Sequence, residues 1–227
     1  EIIMSILSNY TPDCLVRAWV ECDISRMHLG ESDMNEEKFV WKFQKAIEIA
    51  KVDEYRATTH NKGIFNGIDA LALATGNDFR AIEAGAHTYA CRTGRYQSLT
   101  ELTLDNGLFH YELKVPLAMG TVGGLTSLHP MARFSLEMLG KPSARELMII
   151  AACAGLANNF GAVKSLVTKG IQVGHMKMHL FNILNFYAAT QEEKLKAVEY
   201  FRNKKVSFKS VTDFINNHRS QILDVKS

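Results

Sequence analysis

Residues 56–67, RATTHNKGIFNG, place Arg56, His60, Lys62, two asparagines and two glycines immediately ahead of an apolar run with few charges of its own. A lysine beside Gly63 at the edge of such a run has two readings. Either its stem is packed and its ammonium turns inward to stabilise an oxyanion, or it is a solvated lysine at a helix start whose stem lies along the surface. A second cluster, ATGNDFR at residues 74–80, offers Gly76, Asn77 and Asp78 as a turn and helix N-cap, where an acid such as Asp78 is favoured by the helix dipole. One straight helix over residues 63–75 would be ~20 Å long, so spacing alone keeps Lys62 and Asp78 apart. A third cluster, MGTVGGLTSLHP at residues 119–130, presents Gly123, Gly124 and Thr126 in a loop that a phosphate or an amide could approach closely, although it matches neither the dinucleotide nor the Walker glycine pattern. In a fourth, GIQVGHMKMH at residues 170–179, His175 and His179 stand four apart on one helical face. The glutamate of a HExxH motif is missing and no further ligands are supplied, so no metal is expected. His175 follows a glycine and suits a general acid carried on a closing unit, or simply a cap or a solvated side chain.

The elements that must position these residues can be read from periodicity. Residues 14–24, CLVRAWVECDI, read as a strand with one wet face. Residues 32–52 begin with capping residues and acids, then repeat Phe39, Phe43, Ile47 and Ala50 at helical spacing. A buried helix is expected over residues 63–75, broken at Gly76, and another from about Asp78 to Cys91, closed by Gly94. Residues 99–115 alternate on both sides of Asp-Asn-Gly, a hairpin signal. After the glycine loop ending at Pro130 the reading is helical, with breaks near Gly140, Gly161, Gly170 and Thr190 and a separate helical unit from about Ile171. The fold class that follows is α+β, mostly helical, with a small antiparallel sheet.

Composition bounds the function. With 227 residues and 47% apolar content the chain can fill a real core. A net charge of +2, from basic residues spread along the chain, offers no footprint for nucleic acid. Cys14, Cys22, Cys91 and Cys153 form no CxxC pair and read as buried, reduced thiols of a cytoplasmic protein. No eighteen apolar residues run together and the first residues do not make a signal peptide, so no membrane is expected. The chain opens on Glu1 in mid-element, the expectation for a piece of a longer polypeptide.

The four clusters in this order resemble the class II, bacterial-type 3-hydroxy-3-methylglutaryl-coenzyme A (HMG-CoA) reductases. The resemblance is carried by ILSN at 6–9, YRATTHNKGIFNGIDALALATGNDFRAIEAGAH at 55–87, GRYQSLT at 94–100, GTVGGLT at 120–126 and GLANNFGAVKSLVTKGIQVGHM at 155–176. It implies a four-electron reduction of HMG-CoA to mevalonate with two molecules of NADPH or NADH in succession, releasing coenzyme A. Lys62 then matches the catalytic lysine that stabilises the oxyanion, Asp78 the aspartate that tunes it, and His175 the histidine that protonates the departing thiolate. Arg56 and Asn66 fall where the family contacts substrate and lysine. Asn9 ends the segment near the nicotinamide, and Gly123, Gly124 and Thr126 fall in the cofactor-side loop.

The resemblance also implies an organisation: residues 1–8 as the end of a small cofactor-binding domain, 9–170 as a large substrate-binding and dimerisation domain, and 171–227 as a C-terminal helical flap. The partner it implies is a second copy, in a homodimer with active sites at the subunit interface. The family's catalytic glutamate and DAMGAN-type dinucleotide motif belong to an N-terminal half that is not in this sequence, and HLFNILNFYAAT at 179–190 lacks the usual Ala-Arg after the second histidine. Two rival readings follow from the residues: a non-catalytic assembly module, and an enzyme that forms a Schiff base on Lys62.

Overall fold

The computed structural model describes residues 1–27, 34–168, 171–202, 204 and 206–224, with side chains at all of these but 127, 171–177 and 220–224. The chain divides into two compact units, Glu1–Thr168 and Lys169–Ser227.

The first unit is built on a three-stranded antiparallel sheet. Strand β1 (Leu15–Asp23) and strand β2 (Thr100–Asp105) flank β3 (Leu108–Pro116), giving the order β1-β3-β2. Asn106 and Gly107 connect β2 to β3 with φ of 48° and 80°, the left-handed pair that a two-residue hairpin turn requires. In β1, Val16 and Ala18 face the core while Arg17, Trp19 and Glu21 face out, which is the wet face that the mixed sequence predicts.

Helix α1 (Glu36–Val52) starts at Asn35, whose side chain accepts from the Lys38 amide, and buries Phe39, Phe43, Ile47 and Ala50. Phe43 sits at the centre of an aromatic cluster, its ring centroid 5.5 Å from Phe109, 5.1 Å from Tyr111 and 5.3 Å from Phe160. Helix α2 (Glu54–Ala74) and helix α3 (Phe79–Ala90) follow, then the hairpin, the short helix α4 (Gly124–Leu128) and helix α5 (Pro130–Met138). Helix α6 (Ala144–Val167) opens on a capping box formed by Ser143 and Glu146.

Helices α2 and α6 pack at very short range. A β-carbon on Gly67 would stand 2.5 Å from the Ala154 carbonyl oxygen, so only glycine permits this approach. Among the described residues α6 is the one helix long and apolar enough to cross a membrane by length and composition. Its packing on α2 and its contacts with α1 and β1 are those of a core helix.

Three expectations are corrected. Residues 56–67 are not an approach to a helix but lie inside one, because Asp53 accepts from the Arg56 amide and starts α2 ten residues before Gly63. Helix α6 runs through Gly161 without a break, the ~1 kcal/mol cost of an interior glycine being absorbed by a 24-residue helix whose Leu156, Asn159 and Val163 are buried. Finally, Cys14, Cys91 and Cys153 are exposed and Cys22 partly so; all four are free thiols, but not core residues. The expected break near Gly170 lies outside the described residues.

The second unit holds α7 (Ile171–Phe186), α8 (Gln191–Tyr200) and α9 (Phe208–Asp224) around its own core of Leu180, Ile183, Leu184, Ala197, Phe201, Val211 and Ile215. Thr190 and Glu193 cap α8 reciprocally. Arg219 on α9 meets Glu193 at 2.7 Å and holds its carboxyl down to about 2.

Candidate active site

The residues around Lys62 are held by a buried polar network. His60 is 1% exposed, with Nε2 at 2.7 Å from Thr100 Oγ1. Tyr111 donates to Asn159 Oδ1 at 2.5 Å and lies 3.1 Å from the same Thr100 hydroxyl, while Asn159 Nδ2 donates to the His60 carbonyl at 2.8 Å. Next along α2, Asn61 donates to the Gln97 carbonyl and accepts from the Leu99 amide. Asn158 donates to the Gly63 carbonyl. These bonds tie α2 to β2, β3 and α6, fixing the rotation of α2 about its axis.

That rotation decides what α2 presents outward. His60, Asn61, Gly63 and Ile64 are buried, whereas Lys62 and Asn66, one turn apart on a common face, are both exposed. The solvated alternative for Lys62 therefore describes its surroundings within this chain. Arg56 is half-buried, and its charge acts on the neighbouring His60 and Tyr111. Burial pulls its guanidinium below the usual arginine range, an effect the Tyr111 hydroxyl opposes. Burial first, and the Arg56 charge second, push His60 down to about 3, so the imidazole is neutral. Its Nδ1 is buried without a partner among the described residues.

Gly76, at φ +71°, turns the chain from α2 into α3. Asp78 is exposed and caps α3, accepting from the Ala81 amide. The two helices then run back along one another. The Phe65 and His87 rings lie 4.9 Å apart, and the carboxyls of Asp69 and Glu83 meet across the seam. At 1.5 Å per residue, Lys62 lies ~10 Å from the Asp69 level toward one end of this hairpin and Asp78 ~7 Å toward the other. Folding back does not bring Lys62 and Asp78 of one chain together; it sets them at opposite ends of a fixed span.

The loop cluster is joined to the Asp78 end. Asn77 accepts from the Gly120 amide at 2.8 Å and donates to the Gly120 carbonyl at 3.0 Å. A β-carbon on Gly76 would stand 3.4 Å from the Thr126 backbone nitrogen. Gly123 and Gly124 have φ of 81° and 49°, and among the described residues no atom beyond their own chain neighbours and local helix backbone lies within 4 Å of where their β-carbons would stand. Thr126 is buried, its hydroxyl donating to the Gly123 carbonyl. Asn9 lies over α3, its carbonyl oxygen 2.7 Å from the position a β-carbon on Gly85 would take. His175 belongs to α7, and its side chain lies outside the described residues. No group of three or more metal-ligating side chains converges among the described residues.

Sequence reasoning missed Asn77 as more than a turn residue, and missed His60, Tyr111 and Asn159 as one network. The adjacent Asn158 and Asn159 inside the apolar run of α6 were the available signal, since a buried amide requires partners.

A mostly helical α+β unit with a three-stranded sheet, presenting one lysine-bearing helix face and a glycine loop, is the class that these observations define. A model described as hydroxymethylglutaryl-coenzyme A reductase matches residues 1–180, and the chain belongs to that family. It is 40% identical over 222 residues to the 3-hydroxy-3-methylglutaryl-coenzyme A reductase of Archaeoglobus fulgidus, covering 97% of this chain and 49% of that protein. To a probable reductase of the same name from Borreliella burgdorferi it is 37% identical, covering 82% and 42%. A solved class II reductase of Streptococcus pneumoniae, bound to NADPH in open conformations, superposes with a TM-score of 0.69 at 42% identity, over 96% of this chain and 53% of that one. The chain thus spans about half the length of the relatives it matches.

Proposed function

We propose that this chain supplies the lysine, aspartate and histidine of an HMG-CoA reductase, which reduces HMG-CoA to mevalonate and coenzyme A. The observation that carries the reading is the family match over residues 1–180, together with Lys62 and Asn66 side by side on one exposed face of a helix whose other faces are locked. The nicotinamide supplies hydride; NADPH is the form bound by the Streptococcus pneumoniae relative. Lys62 places its ammonium where the carbonyl oxygen becomes an oxyanion, and Asn66 steadies that ammonium. Arg56 contributes positive charge for the substrate's acidic end. His175 gives a proton to the departing thiolate. Asn9 and the Gly123, Gly124 and Thr126 loop border the cofactor side.

The hairpin span favours a site shared between copies. Lys62 and Asp78 of one chain stand apart, so a homodimer with active sites at the interface lets Lys62 of one copy meet the partner's Asp78. Residues 1–8, 9–170 and 171–227 are assigned as the end of the cofactor-binding domain, the substrate and dimerisation domain, and the flap. The compartment is assigned as the cytoplasm.

The test is HMG-CoA-dependent oxidation of NADPH and of NADH by the full polypeptide, with its mass in solution. Turnover in a dimer supports the reading. Failure to turn over HMG-CoA with either nucleotide would sink it and leave a non-catalytic assembly module.

A further inference from the structure

Asp69 stands seven residues after Lys62, on the same face of α2, and its carboxyl meets that of Glu83 on α3. Asp69 Oδ1 is buried and has no hydrogen-bond donor among the described residues. Two carboxylates cannot donate to each other, so the contact is a hydrogen bond only when a proton lies between them. The groups that act on the pair are few. His87 stands one turn along α3 from Glu83 and feels its charge, with Tyr96 Oη at 2.8 Å from His87 Nδ1. Arg56, Lys62 and Arg80 are the arginines and lysine of the same two helices; Lys62 and Arg80 are exposed, and the half-buried Arg56 stands thirteen residues before Asp69. From α6, the groups nearest Gly67 are the backbone of Ala154 and Gly155, and from α5 it is Ala132 that reaches Gly76.

We propose that Asp69 and Glu83 share one proton across the α2–α3 seam and serve as positioning residues for the reaction, fixing the span between Lys62 and Asp78. The positioning role rests on the reductase reading; the shared proton does not. Burial and the Glu83 charge raise the Asp69 carboxyl to about 6. Because the folded pair binds its proton more tightly than the unfolded chain, its contribution is complete below the ordinary aspartate value and is lost as pH rises through about 6. Above that point two like charges face each other and the seam loosens.

The experiment uses the full polypeptide and three variants: Glu83→Gln, whose amide donates to Asp69 at every pH, Asp69→Asn and Glu83→Ala. Carboxyl carbon NMR should find a wild-type group titrating near pH 6 that Asp69→Asn removes. In the wild type, kcat should fall as pH rises through that midpoint while KM holds, and Glu83→Gln should lose this limb of the profile. Glu83→Ala should lower kcat by ~10- to ~100-fold, the scale of a small misplacement of catalytic groups. Finding every Asp and Glu within the ordinary carboxylate range would overturn the shared proton. A wild-type pH profile retained in Glu83→Gln would overturn the positioning role, as would the absence of any reductase turnover, which also removes the reading it rests on while leaving the titration to decide the proton.

Discussion

Asn77 clamps Gly120: one side-chain amide accepts from the Gly120 N–H at 2.8 Å and donates to its carbonyl at 3.0 Å, satisfying both backbone groups of a residue 43 positions away. Through this clamp the turn between α2 and α3 carries the glycine loop with it, so the Asp78 end of the hairpin and Gly123–Gly124 form one local body.

Breaking the clamp should be costly. Asn77→Ala leaves a half-buried N–H and C=O unpaired, and the expected loss is ~2–3 kcal/mol, read from urea unfolding with the m-value unchanged. Asn77→Asp, which can still accept but cannot donate, should lose about half as much. A loss below ~0.5 kcal/mol for alanine would mean the loop is held by other contacts.

Gly67→Ala should separate α2 from α6. The new methyl would stand 2.5 Å from a backbone oxygen that no side-chain rotation can move, so an overpacking penalty of ~3 kcal/mol or more is expected. Gly155→Ala meets Ile68 and Ile64 side-chain atoms at 2.9–3.1 Å instead, and should cost less because those side chains can shift. Melting temperatures of the two variants check the order.

His60 predicts a pH dependence of stability. Its folded value, about 3, lies below the ordinary histidine value of 6.5, so the unfolded chain binds the extra proton. Stability is then full above pH ~6.5 and falls as pH drops toward 3, by up to ~1.4 kcal/mol per unit. His60→Gln, which cannot titrate, should flatten that segment of the unfolding curve. An unchanged slope would place the acid sensitivity elsewhere.

Lys62→Ala should leave stability within ~0.5 kcal/mol of wild type, since the side chain is exposed, while abolishing reduction of both HMG-CoA and free mevaldehyde. Lys62→Arg should not restore it, because a planar guanidinium cannot replace a compact ammonium at an oxyanion. Substantial turnover by either variant would contradict the role assigned to this lysine.

Much of this protein was legible one element at a time. Local signals sufficed where the determinant was local: the Asn-Gly turn between β2 and β3, the Phe39, Phe43 and Ile47 stripe of α1, and Asp78 as a cap each depend on residues within a turn or two. The resemblance at residues 55–87 pointed to the right family for the same reason, since it is a continuous string. What only the tertiary structure decided is which way each face turns and what it meets. Residues 56–67 became the middle of a helix because Asp53 caps it and because Gly67 lies against α6, where its lack of a side chain is an advantage rather than a break. The separation of Lys62 from Asp78, the clamp of Asn77 on Gly120 and the meeting of Asp69 with Glu83 all arise from contacts between helix faces and loops. Such contacts depend on the rotation and register of packed helices, set by the sum of many weak burial and hydrogen-bond terms rather than by any short run of residues.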